Sequence, residues 1–260
     1  KVATIADLAG KASGTILGNA NWERSGEFEA LVLDGRSTGV LLAPQYRAAA
    51  HPAEAFTVEA WVRIDHKVEW GGVVGMFQDN GPFERGWLLG YRKDRFFLAT
   101  AAEKPGSKLT YLLADEPFVQ REWQHVAGTY DGSELRIYIN GRLAGKSQEQ
   151  QGKINYPPRA EFFLGGYKDE NEHYPLAGQI HEVRLYDRAL PAAELAANIA
   201  AKTSVPRSTL PPQKVDTLTL AAGPTLQFTG PTTARVKWTT HQPSATILEH
   251  DLGTGVQTYR

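Results

Sequence analysis

Between Phe28 and Asp187 the apolar residues come in short runs of Val, Ile, Leu, Phe, Tyr and Trp, interrupted again and again by Gly, Asn and Asp. That spacing predicts strands joined by tight turns. The clearest strand is Phe56–Ile64, where Phe56, Val58, Ala60, Val62 and Ile64 alternate with Thr57, Glu59, Trp61 and Arg63. Successive side chains of a strand point to opposite faces, so the first set predicts a core face and the second a mixed one. His125–Tyr130, the turn Asp131-Gly132-Ser133, and Leu135, Ile137 and Ile139 alternating with Arg136 and Tyr138 predict a hairpin. Asn140-Gly141 supplies the next tight turn.

Further strands are predicted over Leu31–Leu33, Gly72–Gln78, Gly86–Tyr91, Arg95–Thr100, Leu109–Leu113, Ala160–Gly165 and Gly178–Tyr186. Each has one face to hide, which predicts an all-β fold of two packed antiparallel sheets. One segment departs from the rhythm. After Leu190, Pro191 suits a first helical position and Leu195 and Ile199 fall one turn apart, predicting a turn or two of helix that caps the end of the domain.

From Thr203 the chain reads Thr-Ser-Val-Pro-Arg-Ser-Thr-Leu-Pro-Pro, whose prolines favour extended, semi-rigid backbone. This sets the expected organisation: a large β domain over 1–203, a Pro-rich linker over 204–214, and a second, incomplete domain over 215–260. Leu218–Leu220, Thr225–Phe228, Ala234–Thr239 and Ala245–His250 read as its strands. So short a tail buries too little for a complete sandwich, so its missing strands are expected from the parent chain or a neighbouring molecule.

Charge narrows the partners little. Lys and Arg number 28 against 29 Asp and Glu, a formal net charge of −1, so no overall field favours nucleic acid or an anionic membrane. No apolar stretch approaches the roughly 18 residues of a membrane span. Cysteine is absent, which excludes disulfides and thiolate-bound zinc and fits a bacterial β sandwich. The chain opens at Lys1 rather than Met, which points to a removed leader or a cut upstream and to a secreted or periplasmic protein.

Phe56-Thr57-Val58-Glu59-Ala60-Trp61-Val62, Glu122-Trp123-Gln124-His125-Val126-Ala127-Gly128-Thr129-Tyr130-Asp131-Gly132 and Leu135-Arg136-Ile137-Tyr138-Ile139-Asn140-Gly141 carry a family pattern. So does the run from Leu176 to Leu190 that holds Gly178-Gln179-Ile180-His181-Glu182-Val183-Arg184. In this order they resemble successive strands of the laminin G-like, concanavalin A-type jelly roll. The tail, through Thr233–Thr240 and Ala245–His250, resembles the opening of the fibronectin III-like domain that precedes purple-acid-phosphatase-type metallophosphoesterase domains. The first resemblance implies a jelly-roll lectin or glucanase fold, and the second a parent phosphoesterase whose metal motifs lie outside this sequence. The first family often holds a structural calcium with an acidic residue of the closing strand, where His181 stands here, and histidine is a poor calcium ligand.

Candidate ligand-binding residues are aromatic and polar together. Trp61 shares a strand face with Glu59 and Arg63, while Trp87, Tyr91 and Tyr111 sit in strand-like runs. A sugar offers C–H patches to ring faces and hydroxyls to neighbouring polar groups. The same rings serve equally as filling for the sandwich. Asp169 and Glu170, in Lys168-Asp169-Glu170-Asn171-Glu172-His173, and Asp34, in Leu33-Asp34-Gly35, are the oxygen ligands on offer to calcium. A solvated loop and a turn residue are the alternatives.

Catalysis finds less support. A glycosidase on such a sandwich needs two carboxylates facing across a cleft, and Glu59 with Glu182 is the pair on offer, but a sheet face favours each pairing with a nearby Arg such as Arg63 or Arg184. The seven histidines, at 51, 66, 125, 173, 181, 241 and 250, lack zinc-site spacing. The expected function is a non-catalytic recognition or adhesion module with a glycan or a neighbouring domain as partner. A glycan hydrolase of the same fold and a structural spacer are the alternatives.

Overall fold

The computed structural model describes residues 3–9, 13–19, 21–25, 28–45, 51–103 and 108–201, and four strands beyond them. In chain order come β1 (Thr4–Ala6), β2 (Ser13–Leu17), β3 (Asn21–Ser25), β4 (Phe28–Asp34), β5 (Gly39–Ala43) and β6 (Phe56–Ile64). Next are β7 (Gly71–Asn80), β8 (Phe83–Arg92), β9 (Arg95–Thr100), β10 (Thr110–Leu113), β11 (Trp123–Tyr130), β12 (Leu135–Ile139) and β13 (Arg142–Ser147). β14 (Phe162–Leu164), β15 (Gly166–Lys168), β16 (His173–Pro175), β17 (Ala177–Tyr186) and α1 (Ala192–Ala201) complete the first unit. The second carries β18 (Leu220–Gly230), β19 (Thr233–Thr240), β20 (Leu248–Asp251) and β21 (Val256–Tyr259).

The first unit, residues 1–210, is built on two antiparallel sheets. One has eight strands in the order β1, β2, β5, β14, β7, β8, β9, β10; the other has seven in the order β13, β12, β11, β6, β17, β4, β3. This is the all-β, two-sheet sandwich that the alternation predicts. β6 shows why: Val58, Ala60 and Val62 are buried in one apolar cluster with Val74, Met76, Trp87, Leu89, Phe96 and Leu98 of the facing sheet. Phe56 and Trp87 meet across the gap with ring centroids 5.1 Å apart. Each large side chain hidden this way contributes roughly 1.5–3 kcal/mol.

Turn chemistry sets the register of the seven-stranded sheet. Asn140 and Gly141 both have positive φ, at 50° and 79°, the twist that a two-residue hairpin needs, and they join β12 to β13.

Both outer faces are covered in part, which the alternation did not foretell. α1 runs for 10 residues and lies on the outer face of the seven-stranded sheet instead of capping its end, with Leu195 packed among Ala127, Tyr138 and Leu190. Across the other outer face runs the β15–β16 hairpin, where Tyr167 joins Phe77, Leu88, Phe97, Ala99, Ala101 and Leu109 in a second apolar cluster. The hairpin comes so close that a Cβ on Gly72 would stand 2.2–2.4 Å from the backbone of Gly166 and Tyr167. Only glycine fits there.

The second unit, residues 211–260, contains two antiparallel pairs, β18 with β19 and β20 with β21. Thr225–Phe228 and Ala234–Thr239 fall within the first pair. The predicted linker at 204–214 lies outside the described residues, as do Leu218 and Thr219 and the stretch 245–247. Among the described residues no helix is long and apolar enough to cross a membrane.

Candidate functional site

On β7, alternation sends Met76 into the core and Phe77 and Asp79 to the outer face. β10 brings Tyr111 to that face and β15 brings Tyr167. The Tyr111 hydroxyl donates to Asp79 Oδ2 at 3.1 Å, the Tyr167 hydroxyl donates to the same oxygen, and the two hydroxyls lie 3.3 Å apart. Burial, first of all, raises the pKa of both phenols, so both are protonated donors at neutral pH.

Beside them stands an aromatic rim. Trp70, just before β7, meets Tyr111 edge-on at 5.3 Å and Phe97 at 6.0 Å, and the Arg92 guanidinium lies 4.5 Å from the Trp70 ring centre. Tyr174 of β16 packs on Tyr167 at 5.6 Å and remains 38% exposed. Trp70 and Tyr111 are half-buried. The result is a set of ring surfaces bordered by hydroxyls and carboxylates.

The turn from β15 to β16 supplies two further carboxylates beside Asp79 of β7. Asp169 N donates to Glu172 O at 3.0 Å, and Asp169 Oδ1 accepts from the backbone N–H groups of Asn171 and Glu172 at 3.0 and 2.7 Å. Its other oxygen, Oδ2, is buried and accepts no hydrogen bond. Carboxylate oxygens of Asp79, Asp169 and Glu172 lie within 4.8 Å of one another. Burial, and after it the neighbouring Asp79 carboxyl, raise the Asp169 pKa, with the two backbone N–H groups opposing. An orphaned buried oxygen within an all-oxygen set fits a hard divalent cation such as calcium.

The sequence candidates divide between three places. Tyr111 and Asp169 belong to this cluster. Glu170 does not: its side chain is exposed and only its backbone N–H turns inward, donating to Gln78 Oε1 at 3.2 Å. Trp87 and Tyr91 are both 0% exposed, so neither offers a ring face to a ligand; alternation along β8 turns them into the core, where Trp87 Nε1 donates to the Tyr156 hydroxyl at 3.0 Å. Asp34 is occupied by its own turn, Oδ1 accepting from the N–H groups of Arg36, Ser37 and Thr38 at 2.8–2.9 Å. Burial works to raise its pKa, and those donors outweigh it and lower it.

Glu59, Trp61 and Arg63 share the outer face of the opposite sheet. Trp61 packs against Phe28 and His125 at 5.0 and 5.3 Å, and Arg63 is paired with Asp65 at 2.8 Å. Glu59 and Glu182 line one small recess with Arg184 between them, 3.4 Å from Glu59 and 2.8 Å from Glu182. The guanidinium thus compensates both carboxylates. His181 belongs to no carboxylate set among the described residues, its Nδ1 lying 2.7 Å from Glu29 O.

Trp70, Asp79, Tyr167, Glu172 and Tyr174 were not singled out by sequence reasoning. Glu172 had a partial signal: it lies in the same acidic run as Asp169, whose side chain accepts from backbone N–H groups two and three residues on and so closes the turn at Glu172. Asp79 and Tyr167 meet only through the fold of the hairpin across β7, and no local pattern announces that.

Comparison with known proteins bears on the fold that carries these residues. The profile described as the concanavalin A-like lectin/glucanases superfamily, a laminin G-type domain, matches residues 34–196. Human (Homo sapiens) pappalysin-1 is 27% identical over 177 residues, which are 60% of this chain and 11% of that protein. The chain thus spans about a tenth of the length of the curated relatives it matches. Among solved structures, domain 4 of AbnA, an extracellular arabinanase from Geobacillus stearothermophilus in complex with arabinotriose, superposes with a TM-score of 0.54 at 19% identity, over 69% of this chain and 81% of that one. The binding domain of Paraclostridial Mosquitocidal Protein 1 does so with a TM-score of 0.57 at 14% identity, over 74% and 48% of the two chains. With two jelly-roll sheets in place and the profile covering most of the first unit, the chain belongs to the concanavalin A-like lectin/glucanases superfamily.

Proposed function

We propose that the chain is a carbohydrate-recognition module of a larger secreted protein, and that the sugar lies on the outer face of the eight-stranded sheet, against Trp70, Tyr111 and Tyr174. The observation that carries this reading is the convergence of half-exposed rings with the Asp79, Asp169 and Glu172 carboxylates. Rings take up the C–H faces of a pyranose or furanose, and carboxylates accept its hydroxyls. A calcium ion held by Asp79, Asp169 and Glu172 would supply charge compensation and fix the β15–β16 hairpin. The hydrolase alternative is disfavoured by Arg184, which engages both carboxylates of the other face. The tail's likeness to a fibronectin III-like opening supports placing the module ahead of a phosphoesterase domain in the parent protein.

A glycan array followed by calorimetry on the strongest binder, with arabinotriose as the first soluble ligand, tests the reading. Binding that Trp70→Ala weakens about tenfold supports it. An array with no binder, on a folded chain, would leave the spacer role.

A further inference from the structure

α1 roofs the outer face of the seven-stranded sheet, and few contacts hold it. A helix of 10 residues is marginal on its own in water, so packing must keep it in place. Leu195 is its buried side chain. The Arg188–Glu194 pair near its start is exposed on both sides and adds little. Entry to the helix is fixed by Thr57, whose hydroxyl donates to Arg188 O and accepts from Leu190 N, both at 2.8 Å.

Past Leu195 the hold combines Ile199, half-buried against Gly141 of the β12–β13 turn, with a polar set centred on one carboxylate. Asn198 Nδ2 donates to Glu59 Oε1 at 2.8 Å, and the Tyr186 hydroxyl donates to the same oxygen at 3.0 Å. His125 Nε2 stands 3.3 Å from Glu59 Oε2, and both side chains are only 3% exposed. Arg184 is 3.4 Å from Glu59 and is itself bonded to Glu182. His125, Arg184, Glu182 and Tyr186 are therefore the titratable and charged groups around Glu59, from β11 and β17, and Asn198 is the polar group from α1. Burial alone would disfavour the charged carboxylate, and these partners reverse that.

We propose that Glu59 is a latch: its charged carboxylate ties α1 to the sheet, and loss of that charge frees the helix while both sheets stay folded. α1 is the last described element before the second unit, which begins at Pro211. Release turns the ordered residues of α1 into free chain beyond Leu190, which Thr57 still holds.

Amide hydrogen exchange on the full chain at neutral pH tests this with Glu59→Gln and Asn198→Ala. Both variants should speed exchange of the amides of residues 195–201 by about tenfold or more, the loss expected for a hydrogen bond to a charged group. The amides of β6 and β11 should keep their protection. Glu59→Gln alters the sheet itself, so Asn198→Ala, which touches only the helix side, decides if the first variant fails to fold. Wild-type exchange of 195–201 in Asn198→Ala, or opening of helix and sheets together, would overturn the proposal.

Discussion

Tyr111 and Tyr167, 56 residues apart in sequence, bring their hydroxyls 3.3 Å from each other above one oxygen of Asp79. The two phenols connect an edge strand of the large sheet to the hairpin lying across it.

That junction predicts a graded set of binding defects. Removing the Trp70 ring should weaken glycan binding about tenfold, since an aromatic face contributes up to about 1.5 kcal/mol beyond its area. Tyr111→Phe keeps the ring and loses only the hydroxyl's contacts with Asp79 and Tyr167, so a smaller loss is expected. Calorimetry on the three proteins checks the order, and equal affinity in Trp70→Ala would place the sugar elsewhere.

Calcium should raise the melting temperature. A cation that binds only the folded state at a hundred times its Kd adds about 2.7 kcal/mol. Asp169→Asn should remove the shift, while Asp34→Ala should leave it, because Asp34 is engaged by its own turn. Differential scanning calorimetry with calcium and with a chelator reads both, and a shift abolished by Asp34→Ala alone would contradict the assignment.

Acid should loosen α1 before it melts the sheets. The Glu59 pKa is lowered from an ordinary 4.5: burial raises it, and His125, Tyr186 and Arg184 more than compensate. A group of this sign contributes stability that is fully present above its unfolded value and is lost as pH falls through the lower folded one. Exchange of the α1 amides should therefore accelerate below about pH 4.5 relative to β6. In Glu59→Gln that pH dependence should be absent.

Val62→Asp should be the most damaging single change among these. Val62 is 0% exposed in the main core, so the substitution buries a charge with no partner. A loss above about 4 kcal/mol, or failure to fold, is expected. An unchanged thermal melt would refute its burial.

Strand content was legible where one face is wholly apolar. Phe56–Ile64, Arg95–Thr100 and Leu135–Ile139 are strands with the predicted limits, because in each the core set alternates without interruption. β3, Asn-Trp-Glu-Arg-Ser, has no such set and gave no signal, being an edge strand that pairs only with β4. Periodicity also left open which faces carry rings. Trp87 and Tyr91 alternate with Leu88 and Gly90, and both faces of β8 are apolar because the hairpin covers the outer one. With two apolar faces, parity alone does not tell core from platform. Tyr111 and Asp169 were found by residue type, and their partner Asp79 required the fold.

The place of β17 in its sheet governs when this domain can fold. It lies between β6 and β4, so residues 177–186 bridge strands made more than a hundred residues earlier. During synthesis, β4 and β6 wait with open edges until Tyr186 has emerged. Contacts of such sequence separation make folding slow and expose unpaired strands meanwhile. A chain stopped before β17 would lack not a peripheral piece but the strand that joins the two halves of the sheet, and aggregation should be its fate.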